Sequence, residues 1–97
     1  MYQLVIKPRA IEMVKEAYEW YNEQQAGLGD LFLDELESYY DRLEELPLTY
    51  SKIKKNFRQA VLHKFPYVIV FEIIKRDIVV YSVFHTSQNP RKKFKKS

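Results

Sequence analysis

The sequence of residues 57–85 is FRQAVLHKFPYVIVFEIIKRDIVVYSVFH. It contains three runs rich in valine, isoleucine and aromatic residues, a composition typical of β-strands: Phe57–Lys64, Tyr67–Ile74 and Ile78–His85. The links between them, Phe65-Pro66 and Lys75-Arg76-Asp77, are much shorter than the crossover of about a dozen residues that parallel strands need. The three runs therefore predict consecutive hairpins in an antiparallel sheet.

Two amphipathic helices are predicted upstream of this sheet. Apolar residues recur at three- and four-residue steps from Arg9 to about Gln25, and again from Phe32 to Leu46. The segment AGLGD at residues 26–30 interrupts the pattern, so the helices should form an antiparallel hairpin. The predicted core contains one alternate face of each later strand and six helix residues: Ile11, Val14, Tyr18, Phe32, Leu36 and Leu43.

The order of the elements predicts the fold class. A short strand, Tyr2–Ile6, precedes the helices, and the polar, basic residues 48–56 predict a loop or a last frayed helical turn. The result is an α+β fold in which the antiparallel helical hairpin packs on an antiparallel sheet of three or more strands. We expect residues 1–97 to form one domain, with a basic C-terminal tail from about residue 86.

Charge is distributed unevenly along the chain. Residues 1–47 carry 4 cations and 11 acids, whereas residues 48–97 carry 12 cations and 2 acids. A basic half favours nucleic acid or an acidic protein as partner, because the summed charge attracts both. The alternative is that an acidic helical surface and a basic sheet surface simply attract each other.

Other features of the composition limit the class of protein. There are no cysteines, which excludes a disulfide scaffold and cysteine-ligated zinc, and no other metal site or cofactor is predicted. The N-terminal residues lack the apolar core of a signal peptide, and no apolar run approaches the roughly 20 residues that cross a bilayer. We therefore expect a cytoplasmic protein without a membrane partner.

Three segments together resemble the RelE/ParE superfamily of bacterial toxins. They are GLGDLFLDELESYYDRLEELP at residues 27–47, FRQAVLHKFPYVIVFEI at residues 57–73 and VYSVFHTSQNPRKKF at residues 80–94. The family pattern has a Gly-Leu-Gly turn, a proline after the second helix, an arginine, a Phe-Pro-Tyr and a strand-end histidine. Those positions here are Gly27-Leu28-Gly29, Pro47, Arg58, Phe65-Pro66-Tyr67 and His85.

The resemblance implies a toxin of a type II toxin–antitoxin system, neutralised by a cognate acidic antitoxin. RelE-like members cut messenger RNA in the ribosomal A site, whereas ParE-like members poison DNA gyrase. The Gly-Leu-Gly turn and the KFPY and FH segments are more similar to the ParE-like, plasmid-stabilisation branch. A RelE-like endoribonuclease and a non-toxic nucleic-acid-binding protein on the same fold are the alternatives, and the sequence leaves self-association open.

The chain departs from the family pattern after its last strand. The family often continues there with Arg-Asp-Pro and a tryptophan, where this chain has Gln88-Asn89-Pro90 and then Phe94. The departure removes the Arg-Asp pair, so no role of that pair is carried over to this chain.

Metal-free RNA cleavage needs a base, cations over the phosphate and an acid for the leaving oxygen. The candidates for such chemistry are Arg58, Lys64, His85 and Arg91. RelE-like members use a C-terminal tyrosine, but no tyrosine follows Tyr81. Two roles are open to His85: a base in catalysis, or a residue that orders the turn after it by hydrogen bonding. We favour the second role, and therefore expect the chain to act by binding rather than by cleavage.

The residues expected to bind a target or partner are the strand candidates and part of the tail: Arg58, Lys64, His85, Arg91, Lys92, Lys93 and Phe94. The tail cations would attract nucleic acid or an acidic protein, and Phe94 is available for stacking.

The sequence leaves two placements for Arg58, because successive residues of its strand point to opposite faces of the sheet. It either lies under the helices and pairs with a carboxylate, or it faces the open side of the sheet with Lys64.

Overall fold

The computed structural model describes residues 2–87, which form two helices and five strands. The elements in chain order are β1 (Gln3–Ile6), α1 (Pro8–Gln24), α2 (Leu28–Glu45), β2 (Lys52–Lys54), β3 (Phe57–Val61), β4 (Tyr67–Ile74) and β5 (Asp77–His85). A single 3₁₀ turn, Pro47–Thr49, follows α2. Arg91, Lys92, Lys93 and Phe94 lie outside the described residues.

The five strands form one sheet in the order β1-β5-β4-β3-β2. Strands β3, β4 and β5 pair antiparallel in sequence order, which confirms the predicted meander and the α+β fold class. The N-terminal strand pairs parallel with β5, so the sheet is mixed. The sequence did not predict β2 within the basic segment 48–56, where Lys52–Lys54 pairs with the start of β3.

The two glycines of the helical hairpin have different physical roles. Gly27 adopts a left-handed backbone with φ of 88°, a conformation that glycine adopts without steric cost. Gly29 lies against the first helix, where an added Cβ would stand 2.5 Å from the carbonyl oxygen of Tyr18. The backbone N–H of Gly29 also donates a 2.8 Å hydrogen bond to Oδ1 of Asn22. The close approach of the two helices therefore requires glycine at position 29.

An aromatic cluster joins the helical hairpin to the sheet. Tyr21 of α1 and Phe32 of α2 pack against Phe65 and Tyr67, with ring centroids between 5.0 and 6.1 Å apart. All four side chains are buried. Aromatic pairs at such separations stabilise a core beyond the area that they bury. The cluster fixes both helices over one end of β4.

The predicted core is correct for α2 but wrong at one residue of α1. Phe32, Leu36 and Leu43 are buried, whereas Ile11 is 55% exposed. The buried face of α1 instead contains Ala10, Ala17 and Tyr21. Apolar residues occupy several faces of this helix, and hydrophobicity does not reveal that small alanines fit closest to the sheet. Val14 and Tyr18 are partly buried at the margin of this face.

Both faces of the central strands are buried, although only one alternate face was predicted. Ile69 and Val80 face the helices, whereas Val70 and Phe84 belong to a second apolar cluster on the opposite face. The register of β5 shifts so that Tyr81 is an extra residue between the pairs Phe71–Val80 and Val70–Ser82. Such a bulge places two successive side chains on one face and breaks the simple alternation assumed from sequence.

Strand β3 ends earlier than expected. It runs from Phe57 to Val61, and the chain then turns through residues 62–66 before β4 begins at Tyr67. Leu62 and Phe65 of this turn are nevertheless buried, which explains why their hydrophobicity resembles that of a strand. None of the helices within residues 2–87 is both long and apolar enough to cross a bilayer.

Candidate partner-binding site

Two of the candidate residues lie at the same end of the sheet. Lys64 belongs to the turn between β3 and β4, and His85 ends β5, where it pairs with Tyr67. Because Tyr67 is the first residue of β4, the turn and the end of β5 are neighbours in space. We call this region, residues 62–67 and 85–87, the turn end of the sheet.

The turn is held by a carboxylate from α2. Glu35 accepts hydrogen bonds from three successive backbone N–H groups: those of His63 at 3.2 Å, Lys64 at 2.7 Å and Phe65 at 3.1 Å. A charged acceptor makes such hydrogen bonds stronger than a neutral one does. Glu35 therefore fixes the turn to the second helix and leaves the Lys64 side chain exposed.

Arg58 does not belong to the turn end. It pairs with Phe71, four residues along β4 from Tyr67, which places it about 13 Å away along the strands. It shares a sheet face with Ala60, which is buried in the cluster beneath the helices, so the sheet face of the first expected placement is the one observed. Its guanidinium, however, donates a 2.7 Å hydrogen bond to the backbone carbonyl of Tyr50. The arginine thus connects β3 to the segment that follows α2.

A cleft of about 830 Å³ lies between α2 and the turn, and we call it the α2 cleft. Its walls include Leu31, Tyr39 and Arg42 of the helix, together with His63 and Lys64 of the turn. Leu31 is 58% exposed, and the guanidinium of Arg42 lies over the Tyr39 ring at 4.7 Å from its centroid. The cleft lining also contains two carboxylates, Asp34 and Glu35, and Glu35 is engaged by the turn amides. The exposed leucine beside Lys64 suits an apolar partner segment that brings a carboxylate to this lysine.

A second cleft, of about 580 Å³, lies on the other side of the turn against α1, and we call it the α1 cleft. Its described lining residues are Met13, Glu16, Ala17, Trp20, Tyr21, Pro66, Tyr67, Val83, His85 and Ser87. The rings of Tyr67 and His85 meet edge to face, with centroids 5.3 Å apart. His85 therefore forms part of an aromatic wall.

The imidazole of His85 also orders the backbone that follows it. The N–H of Ser87 donates to Nδ1 of His85 at 3.1 Å, and the Ser87 hydroxyl lies 2.7 Å from the same atom. Nδ1 is thus the acceptor of the backbone hydrogen bond, which places the proton of the neutral ring on Nε2. This contact is the one that the hydrogen-bonding alternative for this histidine required.

The phenols near the clefts are held in their neutral form. Burial, with a smaller contribution from Tyr21, raises the pKa of Tyr67 to about 12. Burial also raises the pKa of Tyr21. Tyr81 lies on the opposite sheet face, where its hydroxyl donates a 2.7 Å hydrogen bond to Glu72, and burial together with this bond raises its pKa to about 12. The last tyrosine of the sequence therefore does not reach the turn end.

The described residues offer no obvious place for a metal ion. Within residues 2–87, no three His, Cys, Asp or Glu side chains are grouped as metal ligation would need. The turn end and its two clefts present aromatic, apolar and charged groups together, an arrangement that suits recognition of another protein.

The comparison with protein families agrees with this architecture. The family described as the ParE toxin of the type II toxin–antitoxin system parDE matches residues 4–90, nearly the whole chain. The chain belongs to the ParE toxin family. It is accordingly a ParE-type toxin of a ParDE toxin–antitoxin system, and an antitoxin partner follows from that membership.

A solved structure has the same fold as this ParE-type toxin. It is the chromosomal ParDE toxin–antitoxin system from P. aeruginosa, with a TM-score of 0.77 and 13% sequence identity. The similarity covers 88% of this chain and 96% of that chain. No curated protein matches the sequence.

Three important residues of this ParE-type toxin were not predicted from sequence. Glu35 and Trp20 were assigned no role, and Gly29 was considered only as part of the turn between the helices. The contacts of Glu35 and Gly29 join segments that are distant in sequence or on separate helices. The only signal for Trp20 was that it is the sole tryptophan in the sequence and falls outside the predicted apolar face.

Proposed function

We propose that this ParE-type toxin inhibits growth by binding and poisoning its target, DNA gyrase by family resemblance, and that a cognate acidic antitoxin neutralises it. The observation that carries the proposal is the separation of Arg58 from His85. They lie on strands separated by β4 and at different levels of the sheet, about 16 Å apart between Cα atoms.

A metal-free nuclease needs its cation and its proton-transfer groups around a single phosphate. Arg58 is engaged with the Tyr50 carbonyl, and Nδ1 of His85 accepts from Ser87. Tyr81 is hydrogen-bonded on the opposite face of the sheet. Arg58, His85 and Tyr81 therefore make hydrogen bonds within the protein that stabilise its structure. This arrangement favours inhibition through binding over ribosome-dependent cleavage.

The charge of the sheet half supports an acidic antitoxin. Residues 48–87 carry 7 Lys and Arg residues against 2 acids, and Lys64 stands exposed at the rim of the α2 cleft. A segment with leucine-sized side chains and carboxylates would cover Leu31 and meet Lys64 together. We propose that the antitoxin occupies the α2 cleft in this way.

Expression in bacteria, with and without the adjacent open reading frame, tests this function. We expect growth arrest, loss of plasmid supercoiling and intact messenger RNA, with growth restored by the adjacent gene. His85→Gln should keep the toxicity. If the chain were instead a nuclease with His85 as its general base, the same change would lower the cleavage rate a hundredfold or more. Ribosome-dependent messenger cuts with supercoiling intact, or harmless expression, would contradict the proposal.

The tail is tested by a matched pair of variants. Neutralising Lys92 and Lys93 with glutamine should weaken target poisoning in a salt-dependent manner. Neutralising Lys75 and Arg76, in the β4–β5 turn at the opposite end of the sheet, removes the same charge and should have little effect. Equal effects of the two pairs would show that net charge, and not the tail, determines target binding.

A further inference from the structure

We propose that the α1 cleft binds an arginine-bearing segment of a partner protein, with the guanidinium stacked on Trp20 and paired with Glu16. The inference concerns a different surface from the α2 cleft assigned above to the antitoxin. It holds for any partner that carries such a segment, so it stands apart from the identity of the toxin's target.

Trp20 is the first reason for this assignment. It is the only tryptophan of the chain, it lines the α1 cleft, and it is 54% exposed. Its ring packs edge to face on Tyr21 at 5.1 Å between centroids, which holds the indole in place at the cleft wall. A large aromatic held at the edge of a cavity is the kind of residue that dominates binding energy at protein interfaces.

The charge of the cleft is the second reason. Glu16 lies one helical turn before Trp20, and both side chains line the cleft. Of the described lining residues, Glu16 alone is acidic and none is lysine or arginine. The phenols of Tyr21 and Tyr67 remain neutral, because burial raises the pKa of each. The cleft therefore combines one carboxylate with an aromatic wall, which favours a cation.

The geometry of the two groups favours arginine over lysine. A planar guanidinium stacks on an indole face while its N–H groups reach a carboxylate, whereas an ammonium is a more strongly hydrated point charge. Trp20 and Glu16 lie four residues apart on one helix, so one flat cation can contact both.

The surroundings of the cleft exclude nucleic acid as its occupant. Glu12, Glu19 and Glu23 are exposed on the same helix against one exposed cation, Lys15, so the outer surface of α1 is acidic on balance. Such a surface repels phosphate groups, although an exposed tryptophan would otherwise suit base stacking. A basic protein segment satisfies both the charge of α1 and the aromatic wall.

The fluorescence of the single tryptophan provides a direct assay in the full chain. The probe is a short capped peptide with one arginine between apolar residues, and its controls replace the arginine by lysine or by citrulline, its neutral isostere. We expect the arginine peptide to change Trp20 emission and to bind more tightly than both controls. Equal binding of the citrulline peptide, or no change up to roughly millimolar peptide, would overturn the proposal.

Two glutamate variants locate the contact. Glu16→Gln should weaken the arginine peptide about two- to fivefold, the usual worth of an exposed ion pair, and leave the citrulline peptide unchanged. Glu12→Gln removes the same charge from the same helix, two turns away from Trp20 and outside the cleft lining, and should leave binding unchanged. Equal losses in both variants would indicate only a general attraction to the acidic helix.

A variant of the chain's own basic end tests the competing occupant. Arg91, Lys92 and Lys93 begin only four residues after Ser87, which lines the cleft. If glutamine at these three positions leaves peptide affinity unchanged, the cleft is available to a partner as proposed. If it strengthens peptide binding, the chain's own residues compete for the cleft, and the assignment to a partner is wrong.

Discussion

The backbone N–H of Lys64 donates a 2.7 Å hydrogen bond to Oε2 of Glu35, and this bond ties the turn between the two clefts to the second helix. The same carboxylate accepts from His63 and Phe65, so three consecutive amides of the turn converge on one side chain. The turn contributes walls to both clefts. Its rigidity therefore determines how the Lys64 ammonium and the Tyr67 ring are presented to partners.

Replacing Glu35 by glutamine should destabilise the fold. An amide has one acceptor oxygen, so at least one backbone N–H of the turn loses its partner. Because two of these hydrogen bonds are exposed to water, we expect a cost of about 1 kcal/mol. The free energy of unfolding in urea measures this loss. Glu37→Gln, at an exposed position of the same helix, is the control and should change the stability little. Equal stability of both variants would show that the turn does not depend on the carboxylate.

Gly29→Ala should destabilise the helical hairpin more than Gly27→Asn does. An added Cβ at position 29 meets the Tyr18 carbonyl at 2.5 Å, and overpacking of this kind costs about 1–3 kcal/mol. At position 27 there is open space, and asparagine tolerates the left-handed backbone that Gly27 adopts. Thermal unfolding compares the two variants, and a larger loss for Gly27→Asn would contradict the stated roles.

The sheet was predictable from sequence because its links are short. Tyr67–Ile74 is observed with the predicted ends, and the pairing of β3, β4 and β5 follows from turns too tight for any other connection. The parallel addition of β1 depends on the path of α1 across the sheet, which no local pattern encodes. Ile11 was placed in the core for a related reason, since hydrophobicity alone does not determine which of several apolar faces fits the sheet.

The candidate site was less predictable than the fold. His85 could be placed at a strand end, and its hydrogen bond with Ser87 joins neighbours in sequence. The placement of the Arg58 side chain depends on which face of the sheet the helices cover, so the alternation of residues along the strand left two placements open. Glu35 and Lys64 are 29 residues apart, and their contact exists only after α2 has packed on the sheet. Contacts of this kind follow from the tertiary fold, not from composition or spacing.

Tyr40→Phe should stabilise the protein. The hydroxyl of Tyr40 is buried and has no hydrogen-bond partner within the described part of the chain. Removing a polar group without a partner eliminates its desolvation penalty, so we expect a gain of about 1 kcal/mol and a higher Tm. Tyr39→Phe on the same helix should have a smaller effect. A lower Tm for Tyr40→Phe would show that the hydroxyl is satisfied in solution.

Stability should fall in strong alkali because of buried phenols, and Tyr67 and Tyr81 account for part of the fall beside Tyr40, whose pKa burial also raises. Burial raises the pKa of Tyr67 and of Tyr81 from 10.0 to about 12, so the folded state favours their protonated forms. This contribution is complete below pH 10.0 and is lost as the pH rises from 10.0 to about 12. Urea unfolding across this range should show the decline, and Tyr67→Phe together with Tyr81→Phe should make it less steep. If the free energy of unfolding falls with pH as steeply in the double variant as in the original protein, Tyr67 and Tyr81 do not contribute to the decline.

The supercoiling of relaxed plasmid by purified DNA gyrase tests the central claim most directly. If the chain is a ParE-type poison of gyrase, adding the purified protein should suppress supercoiling in proportion to its concentration. His85→Gln should still suppress it, with at most the severalfold loss of a single binding contact, not the hundredfold loss of a general base. Adding the product of the adjacent gene should restore the reaction. Undiminished supercoiling at high concentrations of the protein, together with messenger cleavage on purified ribosomes that His85→Gln abolishes, would contradict the account.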